Sequence, residues 1–87
     1  PRAAVVLDVE AEPGDGLIAL AEHPTPAGVV RLAAPESDDA YARQLYAALR
    51  AADEAGLTRV VALQPAGAGI AEAIRDRLGR AAHPDRV

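Results

Sequence analysis

Ser37–Ala82, SDDAYARQLYAALRAADEAGLTRVVALQPAGAGIAEAIRDRLGRAA, holds the three elements that decide the fold. Ser37 is a good N-cap, because its hydroxyl can accept from a backbone N–H left unpaired in the first turn. Asp38 and Asp39 follow, where negative charge suits the positive end of the helix dipole. Tyr41, Leu45, Ala48, Leu49 and Ala52 recur at spacings of three and four, which is one apolar stripe. Gly56 supplies the left-handed residue that commonly ends a helix. Leu57–Leu63 (LTRVVAL) then reads as the best strand in the chain, and Pro65–Gly69 as the turn after it. A second helix is expected from about Gly69 to Ala82, with Ile70, Ala73, Ile74, Leu78 and Ala81 inward. Gly79 weakens its last turn by up to ~1 kcal/mol. His83, Pro84 and Asp85 end it.

Upstream the signals are shorter. Ala3–Val9 alternates as a strand, Ala11–Gly16 (AEPGDG) is turn material, and Leu17–Leu20 is a brief apolar run. Ala21–Ala27 carries two prolines and cannot hold regular structure for long. Gly28–Leu32 (GVVRL) is a third candidate strand. The first connection has about six residues, too few for a parallel crossover, so the first two strands should be antiparallel if they pair directly. Helix, strand and helix make half of a doubly wound unit. The expected fold is one α/β domain over residues 1–87, a mixed sheet of about four strands with two helices on one or both faces.

Composition narrows the function. Of the 87 residues 22 are Ala, against 20 Leu, Ile and Val together, with no Phe, Trp or Met. Burying an Ala removes much less apolar area than burying a Leu, so the core is thin. A small domain without disulfides gains from packing against something else. The net charge is −4 and every cation is Arg. No basic run offers an electrostatic footprint for nucleic acid. No apolar run approaches the roughly 20 residues that span a bilayer, so a cytoplasmic location is expected. Pro1-Arg2 running straight into a strand is expected of a domain cut from a longer chain.

Chemistry is sparse. Gly67 and Gly69, between a strand and a helix, are the candidates for an anion cradle, since N–H groups at a helix N-terminus suit phosphate. The dinucleotide fingerprint wants Gly or Ala three positions after Gly69, where this chain has Glu72, and an ordinary turn is the plainer reading. His23 and His83 lie beside prolines with no ligand spacing. Asp8, Glu10 and Glu12 alternate like a carboxylate cluster, or like the charged solvent face of an edge strand. Ser37 is the one serine and serves as a cap, and cysteine is absent, so nucleophilic catalysis has almost no raw material. Tyr41 and Tyr46 suit packing better than base stacking. Arg75, Arg77 and Arg80, mixed with Glu72 and Asp76, read as a solvated helix face. No catalytic or metal-binding residue is assigned.

The stretch Ser37–Leu49 (SDDAYARQLYAAL), continuing to Gly56, resembles the C-terminal domain of two-domain threonylcarbamoyl-AMP synthases, enzymes with a YrdC-like catalytic domain. Gly69–Ala82 is similar to that family's closing helix, and the short runs Ala3–Leu7 and Leu17–Leu20 to its first strands. Many members carry a helix between those two strands, where this chain has only Ala11–Gly16. The resemblance implies a small Rossmann-like accessory domain that packs on, and gates, the catalytic domain of the same chain. It also implies that ATP, Mg²⁺, threonine and bicarbonate bind upstream, for modification of a tRNA adenosine, and that this domain touches no nucleic acid or membrane. The alternative is a free-standing interaction module that takes an anionic ligand at Gly67–Gly69.

Overall fold

The computed structural model describes residues 2–84; Pro1, and Asp85 of the expected helix stop, lie outside the described residues. Six elements follow in order: β1 (Ala4–Leu7), β2 (Gly16–Ile18), β3 (Val30–Ala33), α1 (Asp38–Glu54), β4 (Arg59–Ala62) and α2 (Ile70–Ala82). The strands form one sheet in the order β1-β4-β2-β3. Every pairing is parallel.

The sheet is therefore α/β as expected but not mixed. The expectation of an antiparallel first pair assumed direct pairing, and β4 lies between β1 and β2, with Val60 opposite both Val5 and Gly16. The eight residues between Leu7 and Gly16 make this crossover without a helix. They must move sideways by two strand spacings, ~10 Å, and back along a four-residue strand, ~13 Å. Eight extended residues reach about 26–29 Å, which is enough. Asp15 ties the connection down, its Oδ2 accepting from the Glu12 N–H at 2.9 Å. Arg59 Nε stands 3.2 Å from the same oxygen without the alignment of a hydrogen bond, so it adds an electrostatic contact only. Gly16 sits in close approach to two leucines: a Cβ there would lie 2.6 Å from Leu32 Cδ1 and 3.0 Å from Leu57 Cδ1, so these side chains would have to shift.

Both helices lie on one face. Val5, Ile18, Val60 and Ala62 form a single buried cluster with Tyr41, Leu45, Ala48, Leu49 and Ala52 of α1 and with Ile74 and Leu78 of α2. The α1 stripe is buried as its periodicity requires. In α2 the buried residues are Ala71, Ile74 and Leu78, whereas Ile70 is 44% exposed and Ala73 is exposed. The pattern 71-74-78 satisfies helical spacing as well as 70-73-74 does, and docking against β1 selects the first. On the other face Leu17, Ala19 and Val61 are buried beneath Ala11 and Val29, which belong to the connections. Coil stands there where a doubly wound fold would place helices. This explains why LTRVVAL reads as an unbroken apolar run: both faces of β4 are covered.

The helix ends behave as their residues dictate. The Ala40 N–H donates to Ser37 Oγ at 3.1 Å. At the C-terminus the Leu57 N–H reaches Ala52 O and the Gly56 N–H reaches Asp53 O, with Gly56 at φ +73°. That pair of bonds is a Schellman motif.

Candidate functional sites at the two ends of the sheet

In parallel α/β sheets, ligands are usually met at the carboxyl ends of the strands. Here that edge holds Asp8 after β1, the loop from Leu63 to Gly69 after β4, and the N-terminus of α2. Asp8 adopts the left-handed region, φ +55°. Its carboxylate accepts from the Gln64 N–H at 2.8 Å and from Gln64 Nε2 at 2.6 Å. The Tyr41 hydroxyl donates to Leu63 O at 3.0 Å. Burial, then the Asp8 carboxylate, pushes this phenol well above the ordinary tyrosine range, so it remains a neutral donor. Arg75 Nη1 donates to Pro65 O at 2.8 Å and closes the loop from the far side.

Gly67 and Gly69 lie where the sequence places them, at φ +108° and +71°, immediately before α2. The Gly69 N–H donates to Glu72 Oε1 at 3.2 Å. The Gly69 N–H is thus answered by the chain's own carboxylate, half of a capping box, while no side chain caps the N–H groups of the first turn. An incoming phosphate would have to displace Glu72 and face Asp8 across the same edge. Among the described residues no group of three or more His, Asp or Glu converges on a possible metal position. Glu10 and Glu12 fall beyond the end of β1, exposed in the connection rather than on a strand face. His83 is the exposed C-cap of α2, and His23 is half-buried in the loop that joins β2 to β3.

That loop is held by one side chain. Arg31, in β3, donates from Nε to Ala33 O, from Nη1 to His23 O and Thr25 Oγ1, and from Nη2 to Ala19 O and Leu20 O, all within 2.8–2.9 Å. A guanidinium has five N–H donors in a rigid fork, and here each one is used. It replaces, in polar form, the helix that would normally carry such a crossover.

The opposite end carries a feature that the sequence reading did not isolate. The C-terminal halves of α1 and α2 enclose a groove of about 430 Å³. Leu45, Leu49 and Ala81 form its floor, with Tyr46 on the wall, 57% exposed. Arg50, Arg77 and Arg80 line its rim together with Asp53. Arg80 is paired with Asp76 on its own helix. Asp53 accepts from the N–H groups of Arg2 at 3.0 and 3.1 Å and of Ala3 at 3.0 Å. The Arg2 bond first, then that from Ala3, holds its carboxyl below the usual carboxylate range. Tyr46 and Arg50, four apart, share a helix face, as do Arg77 and Ala81. The local signal was present, but nothing local says that the two faces meet.

A three-layer arrangement of helices, parallel sheet and coil defines a small Rossmann-like α/β domain. The chain belongs to the family of the C-terminal domain of threonylcarbamoyl-AMP synthase, whose model matches residues 1–83. No curated protein matches the chain, and no solved structure does. Among the described residues no helix is long and apolar enough to cross a membrane.

Proposed function

We propose that this domain is a non-catalytic accessory unit that packs on, and gates, a YrdC-like catalytic domain of the same chain. Together they would join ATP, threonine and bicarbonate into the threonylcarbamoyl-AMP used in tRNA modification. The observation that carries this reading is that the polar side chains of the carboxyl edge are bonded within the domain. Glu72 answers the Gly69 N–H, Asp8 answers Gln64, and Leu63 O answers Tyr41. Groups engaged in this way hold a loop, and no nucleophile–base pair stands among them. Among the described residues no cluster of His, Asp or Glu suits Mg²⁺ and Glu72 occupies the Gly69 N–H that a phosphate would use, so ATP and Mg²⁺ are assigned to the catalytic domain. The acidic balance of the chain likewise disfavours direct contact with tRNA, and a cytoplasmic setting follows from that role.

The test compares three proteins supplied with ATP, threonine, bicarbonate and Mg²⁺: the two-domain synthase, its catalytic domain alone, and this 87-residue chain. Product formation should be greatest for the two-domain protein, lower for the catalytic domain, and nil for this chain. Turnover by the isolated 87 residues would sink the accessory reading. Equal rates with and without the domain would remove gating.

A further inference from the structure

We propose that the groove between α1 and α2 seats an acidic segment of the catalytic domain in the same chain, one carrying apolar side chains between its carboxylates. This rests on the accessory reading above and adds to it the surface and the chemistry of the contact.

Charge is the first argument. The domain carries −4 overall, yet three of its nine cations gather on this one rim. Asp76 and Asp53 offset part of that charge but do not pair with Arg50 or Arg77. Asp53 is occupied by the backbone of Arg2 and Ala3, and Asp76 is taken by Arg80. Among the described residues Arg50 and Arg77 have no ion-pair partner. An occupant with carboxylates for Arg50 and Arg77 and apolar surface for Leu45, Leu49 and Ala81 is complementary to this groove.

Composition is the second. Tyr and Arg are the residues most enriched where protein interfaces gain their energy, and Tyr46, Arg50 and Arg77 stand together here around an apolar floor. Position is the third. Both helices run back from the carboxyl edge, so the groove lies toward the amino edge of the sheet, away from the usual ligand position. Asp53 fixes Arg2 and Ala3 at its side. Arg2 and Ala3 therefore lie beside the groove, and a catalytic domain joined upstream, as the accessory reading has it, would meet it at high effective concentration.

The experiment uses the two-domain synthase and reads alkylation at single introduced cysteines by peptide mass spectrometry; the domain itself contains no Cys. Arg80→Cys reports the groove, chosen because Arg80 is already engaged by Asp76. Gln44→Cys, exposed on α1 away from the groove, and Ala4→Cys, exposed on β1, are the references. With the groove occupied nine-tenths of the time, the thiol of the Arg80→Cys variant should react about tenfold more slowly than that of Gln44→Cys. Adding Arg50→Glu and Arg77→Glu should restore its rate, whereas Arg50→Lys and Arg77→Lys, which keep the charge, should not. Small-angle scattering on the same samples separates the two failures. A compact two-domain particle in which the Arg80→Cys thiol reacts as fast as the Gln44→Cys thiol, or in which the Ala4→Cys thiol is protected instead, overturns the groove while domain packing stands. An extended particle with all sites reactive overturns both. Protection that survives charge reversal overturns the acidic occupant.

Discussion

Replacing Arg31 by Ala should cost this domain a large part of its stability. A hydrogen bond from a charged donor contributes about 1.5–3 kcal/mol where it is desolvated. Five such bonds converge from Arg31. They do not add, because one rigid group makes all of them and water can reach part of the loop once it is gone. The Thr25 bond is exposed and contributes least. Four part-buried carbonyls remain, and losing their donor should cost about 2–4 kcal/mol in all. Domains of this length have about 4–13 kcal/mol in total. The melting temperature should therefore fall by about 8–30 °C. Arg31→Lys offers three donors from one point, which cannot span Ala33 O and His23 O together, and should recover at most about half of the loss. Urea unfolding followed by far-UV circular dichroism measures this, with m unchanged if only stability has moved. Hydrogen exchange should localise the damage to the amides of Ala21 and His23, which bond to Pro35 O and Leu20 O inside the clamped region. A loss below about 0.5 kcal/mol for Arg31→Ala, or a Lys variant as stable as the parent, would refute the claim that a guanidinium replaces the crossover helix.

Two further outcomes concern titratable groups. Tyr41→Phe should lower stability by about 1–2 kcal/mol at neutral pH, since it strips the donor from Leu63 O. The Tyr41 phenol is raised when folded, so its contribution is complete below the unfolded tyrosine value of about 10 and is lost as pH rises above it. The Phe variant should therefore show a flatter stability profile above pH ~10, and equal slopes in urea melts of parent and variant would contradict the assignment. Asp53 has the opposite sign. Its carboxyl is lowered when folded, so its contribution holds above about pH 4 and is lost as pH falls through the lowered value. Amide exchange at Arg2 and Ala3 should accelerate in that acid window, and Asp53→Asn should remove the acid step; a step that persists in the variant would assign it elsewhere.

The helices and β4 were legible because their signals are local. Ser37, the Asp pair and Gly56 bound α1, and five apolar residues at spacings of three and four name its buried face. The strand order was not legible. Whether β1 pairs with β2 or admits β4 depends on a connection whose only local property is that it is short, and these neighbours in sequence are not neighbours in the sheet. The Arg31 clamp was invisible for a similar reason: its partners are carbonyls, which every residue has. At Gly67–Gly69 the sequence showed both the turn and the carboxylate at Glu72, and the structure adds that the two are bonded. The groove needed both helices on one face, which the stripes permitted without requiring.

The same thin core that made a partner expected also explains how the domain manages without large side chains. Alanine at positions 48, 52 and 71 lets helices and sheet approach closely, yet each contributes little buried area. Order in the connections then falls to polar ties: Arg31 on the second loop, Asp15 on the first, Asp8 on Gln64, Asp53 on the incoming chain. Such ties are directional, so they specify the coil layer, but each single hydrogen bond in them is worth less than a buried leucine and is open to competition from water. Anything that binds the folded domain and not the unfolded chain stabilises it by mass action. A domain built this way gains most from a partner held beside it, and α1 and α2, which line the groove, are also the two elements that carry most of its core. Occupying that groove therefore stabilises the scaffold itself, and loosening the scaffold weakens the grip on the partner.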